Sequence, residues 1–69
     1  MNQKERATEK ITLSVAEAAE QMGVSRPTIL NWIHMSGGIP HFHAGRKILV
    51  PKKMLEEWAV KQAETGAVL

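Results

Sequence analysis

A capping box at Ser14–Glu17, a glycine stop followed two residues later by a second helix cap, and a change from helical to alternating period near His41 predict the fold class. Together they describe a mainly α fold with a small β-hairpin: three short helices and a two-stranded wing, the arrangement of a winged helix-turn-helix. A chain of 69 residues holds one domain and one modest core. That length excludes a two-lobed enzyme with a cleft between its lobes and any large cofactor fold.

The elements follow in order. Met1 to Lys10 is polar and lacks apolar periodicity, so residues 1–10 read as a flexible N-terminal tail ahead of a domain at 11–63. Ile11-Thr12-Leu13 alternates like a strand but is short enough to be an extended lead-in. In the first helix the Ser14 hydroxyl can accept from the Glu17 N–H while the Glu17 carboxylate reaches back. Val15, Ala18, Ala19 and Met22 then share one stripe, and Gly23 stops the helix in the left-handed conformation. Ser25 caps the second helix and Arg26-Pro27 occupy its first turn, where proline is tolerated. Ile29, Trp32 and Ile33 face the first helix, which leaves Arg26, Thr28 and Asn31 outward. Gly37-Gly38 ends this helix and Pro40 forbids its continuation. His41-Phe42-His43 and Lys47 to Val50 bracket Ala44-Gly45-Arg46 as a hairpin, with Phe42 on one side and His41 and His43 on the other. Pro51 opens a third helix that turns Leu55, Trp58 and Met54 inward and sets Glu56 and Glu57 near its start, where the dipole favours acids. Trp32 and Trp58 are expected to meet each other or to share Phe42 beneath the hairpin. The helix is expected to end near Ala63, with residues 64–69 frayed.

Composition narrows the function. There is no cysteine, hence no disulfide framework, no Cys-ligated zinc and no thiol nucleophile. No apolar run is long enough to span a bilayer and no signal-peptide core is present, so the chain reads as cytoplasmic with no membrane partner. The net charge of +2 conceals an uneven distribution. Residues 26–53 hold Arg26, Arg46, Lys47, Lys52 and Lys53 and no acid, whereas residues 1–25 sum to −1 and residues 54–69 to −2. A basic middle between acidic flanks suits a polyanion.

The spacing supplies the parts for reading double-stranded DNA. A helix-turn-helix presents the start of its second helix to the major groove. Here that start carries Arg26, able to donate twice to guanine O6 and N7, and Asn31, able to pair with adenine N6 and N7. The Ser25 and Thr28 hydroxyls, with the free N–H groups at the helix start, suit phosphate oxygens. At the hairpin tip Arg46 and Lys47 adjoin Gly45, where a sugar-phosphate strand can come close, and His43 lies beside them. Each of these residues taken singly is equally well an ordinary solvated side chain; their convergence in an acid-free segment favours nucleic acid.

Other chemistries are poorly supplied. His34, His41 and His43 fall short of the four ligands of a structural zinc and lack Cys or acid nearby, so no metal is expected. Ser14 and Ser25 serve as caps, no catalytic triad or paired-carboxylate spacing occurs, and Gly37-Gly38 is a turn rather than a phosphate loop. No cofactor and no enzymatic activity are expected. A protein-interaction adaptor that docks an acidic partner is the alternative from another class.

The runs Leu13-Ser14-Val15-Ala16-Glu17-Ala18-Ala19 and Gly23-Val24-Ser25-Arg26-Pro27-Thr28-Ile29, with Trp32-Ile33, Gly38-Ile39-Pro40, Gly45-Arg46 and Trp58, resemble the excisionase family of DNA-binding domains. The resemblance covers about residues 11–62. It implies a small bacterial or phage protein whose second helix enters the major groove and whose wing contacts the backbone or minor groove. By position it implicates Arg26, Thr28, Asn31, Arg46 and Lys47, and His43 beside them. Relatives often carry a basic residue where Asn31 stands, which shifts affinity toward the wing. Members act with an integrase as recombination directionality factors, or as phage-type transcription regulators. Thr28 to Trp32 followed by Gly-Ile-Pro is also similar to the DNA-binding domain of phage terminase small subunits. One helix and one wing read a short site, so self-association on tandem sites or a partner recombinase is expected.

Overall fold

A computed structural model describes residues 10–69. The expected N-terminal tail therefore lies outside the described residues, Lys10 excepted. The order is β1 (Thr12–Leu13), α1 (Val15–Met22), α2 (Arg26–His34), β2 (Phe42–Ala44), β3 (Lys47–Pro51) and α3 (Lys52–Thr65). Three helices and a β-hairpin make this a winged helix-turn-helix.

The helix starts and stops are local chemistry. The Ser14 hydroxyl accepts from the Glu17 N–H at 3.1 Å and the Glu17 carboxylate accepts from the Ser14 N–H at 2.9 Å, closing the capping box. Gly23 adopts φ 73°, which lets the Val24 N–H reach back to the Ala19 carbonyl at 3.0 Å and drops Val24 onto the core. Three residues, Gly23 to Ser25, then separate α1 from α2. Ser25 caps α2 by accepting from the Thr28 N–H at 3.3 Å.

The core is one cluster shared by every layer. Ala18 and Ala19 of α1 meet Ile29 and Ile33 of α2, and Leu13, Ile39, Val50, Leu55 and Trp58 complete it. The two alanines let the helices approach closely. Trp32 and Trp58 stack at 5.6 Å between ring centroids with a 42° tilt, and the Trp58 indole N–H donates to the Gly37 carbonyl at 3.0 Å. Beyond α2 the chain doubles back: Gly38 donates to the Met35 carbonyl and Ile39 to the Trp32 carbonyl, both at 3.1 Å. A Cβ on Gly38 would lie 1.8 Å from the Trp32 carbonyl oxygen, so only glycine permits this return.

The structure revises several expectations. The wing has its expected two strands, β2 and β3, and Thr12 pairs with Pro51 and Leu13 with Val50, so β1 adds a third strand to the sheet in the order β1-β3-β2. Thr12-Leu13 is thus a strand, with Ile11 leading into it. Phe42 is 47% exposed, because it lies on β2, the edge strand, and the tryptophans meet each other without it. Met54 is 46% exposed, since Leu55 and Trp58 set the inward face and Met54 falls to its side. Glu56 and Glu57 miss the first turn of α3. Pro51 is the cap rather than the first helical residue, and Lys52 and Lys53 fill the first turn instead. Pro51 offers no side-chain cap, and the Lys52 N–H is satisfied by the Ile11 carbonyl at 2.9 Å. The helix continues to Thr65, beyond the expected end near Ala63, where Gly66 at φ 66° closes it.

Two substitutions test this packing. Trp58→Ala removes the ring stack and strands the Gly37 carbonyl, and should cost about 3–5 kcal/mol, enough to unfold so small a domain. Gly38→Ala should lower the melting temperature sharply, whereas Ser36→Ala on the same loop should leave it nearly unchanged. Circular dichroism melts read both.

Candidate nucleic-acid interface

The start of α2 is solvent-exposed at Ser25, Arg26 and Pro27, and again one turn on at Leu30 and Asn31. Thr28 is half-buried. Its hydroxyl lies 2.8 Å from the Ser25 hydroxyl, so of the two hydroxyl hydrogens one is spent between them and one remains for an outside acceptor. The expected set of free N–H groups in the first turn of the helix, residues 26–28, shrinks to one. Pro27 has none, the Thr28 N–H is taken by the Ser25 hydroxyl and the Ile29 N–H by the Ser25 carbonyl, which leaves that of Arg26. Arg26 thus presents both a guanidinium and a backbone donor.

The wing turns on two residues, Gly45 and Arg46, with Ala44 paired to Lys47. Gly45 at φ 63° takes the first central position, as tight hairpins with a type II′ pattern require. Arg46 is thereby held at the extreme tip, with Lys47 beginning β3; both are exposed, as is His43. His43 pairs across the ladder with Ile48, and its ring meets that of His41 edge-on at 5.6 Å. The His41 Nδ1 lies 2.9 Å from the Ile39 carbonyl oxygen, which fixes the base of the wing. Among the described residues no three His, Cys, Asp or Glu side chains gather as metal ligands.

An open groove of about 520 Å³ runs between the α2 start and the wing. Arg26 stands on one wall, Arg46 and Lys47 on the other, and Thr12, Ser14 and Ala16 help form its floor. Of the sequence-predicted residues, the fold brings Arg26, Arg46 and Lys47 onto this one surface; Ser25 joins Arg26 on an adjoining hollow of about 400 Å³ against α1. Asn31 and His43 line neither.

Two charged groove residues were not anticipated, Lys10 and Glu17. The Lys10 ammonium donates to Glu17 Oε2 at 2.8 Å, and both side chains line the groove. That hydrogen bond, followed by the Ser14 backbone donor, holds the Glu17 carboxyl below its usual range. The acid on the basic surface is thereby covered by a cation. The signal in the sequence was the alternation of Ile11 to Leu13: paired with β3, it sets Lys10 beside the end of that strand that leads into α3.

Two helices joined by a three-residue turn, with a basic hairpin beside the second helix's start, define the class: a winged helix-turn-helix domain. The sequence from Thr12 to Ala63 matches the helix-turn-helix domain family, and the chain belongs to that family of excisionase-like DNA-binding domains. DNA is accordingly its implied partner. No curated protein matches the chain. Among the described residues no helix is long and apolar enough to cross a membrane.

The lowered Glu17 carboxyl makes a pH prediction. At acid pH the unfolded chain binds this proton more readily than the folded one. The capping box should therefore be intact above the ordinary carboxylate range and weaken as pH falls through the depressed folded value. Hydrogen exchange at the Ser14 amide should accelerate there relative to intrinsic rates, and Glu17→Gln should abolish that pH dependence.

Proposed function

We propose that the protein is a sequence-specific double-stranded DNA-binding protein of the excisionase-like kind, acting as a recombination directionality factor or as a small prophage or mobile-element transcription regulator. The observation that carries this is the groove: Arg26 at the recognition-helix start faces Arg46 and Lys47 at the wing tip across one open surface. Such a groove can receive a phosphate ridge while α2 enters the major groove beside it.

In this reading residues 11–63 are the DNA-binding unit. Arg26 and Asn31 read base edges, and the Ser25–Thr28 hydroxyl pair positions a phosphate. Arg46 and Lys47 grip the backbone beyond, with His43 beside them. Asn31 is neutral, so the electrostatic share of binding falls on the wing. A site this short calls for tandem copies or an integrase alongside to reach useful specificity.

Affinity for duplex DNA should fall steeply between roughly 50 and 200 mM salt, as counterion release requires. Selection from a random duplex pool should return a consensus for the wild type that flattens in Arg26→Ala, which should lose about 1–3 kcal/mol at the preferred site. Lys47→Ala should weaken all sequences alike. Salt-independent binding, or no shift of any duplex, favours the adaptor; a bend in the bound fragment favours the recombination role.

A further inference from the structure

One large apolar side chain stands on the outward face of α2. Leu30 is 37% exposed, whereas Ile29 and Ile33 on the inner stripe are buried. Among the described residues Val15, Met22, Val24, Trp32 and Ile48 pack half-buried against the core, and Leu30 does not join them. A single exposed leucine is ordinary on a protein surface; the surroundings of this one are not. At helical spacing its outward neighbours are Arg26 and Pro27 one turn before and His34 one turn after, all exposed, and the exposed Asn31 follows it in the chain. Long side chains on a helix lean toward its N-terminus, so Leu30 covers the turn that opens with Arg26. The face that presents Arg26 and Asn31 is therefore polar at its edges and apolar between them.

We infer that Leu30 reads the 5-methyl group of a thymine in the major groove, beside the bases that Arg26 and Asn31 contact. The inference deepens the DNA-binding reading above and rests on it. Base edges in the major groove offer hydrogen-bond donors and acceptors, which an isobutyl side chain cannot use; the thymine methyl is the apolar group among them. Water around the methyl and the leucine is released when the two meet, and cytosine, with hydrogen in place of that methyl, gives no such gain. Arg26 suits guanine and Asn31 suits adenine, so a methyl contact supplies the thymine readout that they lack. Position supports the same assignment. Leu30 lies within the first two turns of α2, the part of a recognition helix that approaches base edges.

Deoxyuridine in place of thymine removes this methyl and leaves base pairing unchanged. The test uses the full chain and the duplex consensus that the wild type selects from a random pool. That duplex is prepared once with thymine and once with deoxyuridine at every thymine position, and fluorescence anisotropy reads binding to each. The wild type should bind the thymine duplex about 3- to 5-fold more tightly, as burial of one methyl group implies. Leu30→Ala should bind the two duplexes alike, while Leu30→Met, which conserves volume and apolarity, should keep the preference. Val60→Ala, at an exposed apolar position on α3, should also keep it. Circular dichroism of Leu30→Ala establishes that it is folded. The inference is overturned by a consensus without thymine, by a wild type that binds both duplexes equally, or by a folded Leu30→Ala that weakens both to the same degree and keeps the wild-type ratio. Each of those results leaves the groove reading intact, because the wild type still selects and binds a duplex. Failure of the wild type to bind any duplex overturns both.

Discussion

The reversal at Gly37–Ile39 is the constraint on which the rest of the molecule depends. The chain must leave the end of α2 and return at once to the core, and it does so through a backbone approach that no side chain at Gly38 would allow. Ile39 is carried to full burial by that return, and the Trp58 indole ties α3 to the Gly37 carbonyl at the same point. One locus thus joins the recognition helix, the wing and the C-terminal helix. Were the reversal to open by even one residue, the wing would lift from the α2 start and the groove between Arg26 and Arg46 would be lost. The aromatic pair serves this closure, which is why neither tryptophan is free to stack on a base.

What could be read directly from the residues were the features set by neighbours in the chain. Ser14 with Glu17, Gly23, Ser25 with Pro27, and Gly45 each act within a turn or two of their own position, and each does in the structure what its chemistry predicts. The Ile29–Ile33 stripe is equally local, since helical period alone assigns its face. The misses are contacts between segments distant in sequence. The pairing of Leu13 with Val50 involves two residues on one side and leaves almost no periodic trace. Phe42 looks like a core residue by type, and only the strand order shows that it lies on the outer strand. Met54 was misjudged because the inward face is set by Leu55 and Trp58, and Glu56 and Glu57 because Lys52 and Lys53 occupy the first turn of α3.

The candidate site divides along the same line. Arg26 and Asn31 were legible because the second helix of this motif has a known outward face. Arg46 and Lys47 were legible because a glycine turn advertises its own tip. That Arg26 meets Arg46 and Lys47 on one groove while Asn31 lies outside it is a tertiary fact, as is the presence of Lys10 and Glu17 on its surface. Glu17 illustrates how a helix cap and a binding surface coexist. The carboxylate that stabilises α1 would repel a phosphate, and Lys10 covers it while adding a cation to the approach. Hydroxyls at the α2 start show the opposite economy, with one of their two donors used internally and one left over.

The joint between β3 and α3 has a mechanical meaning. Pro51 is at once the last residue of the strand and the cap of the helix, with φ near −60° held by its ring and no spare residue to absorb rotation. The wing and the C-terminal helix are therefore joined without a linker, so the direction in which the tip projects and the direction in which α3 leaves the sheet are set at one backbone junction.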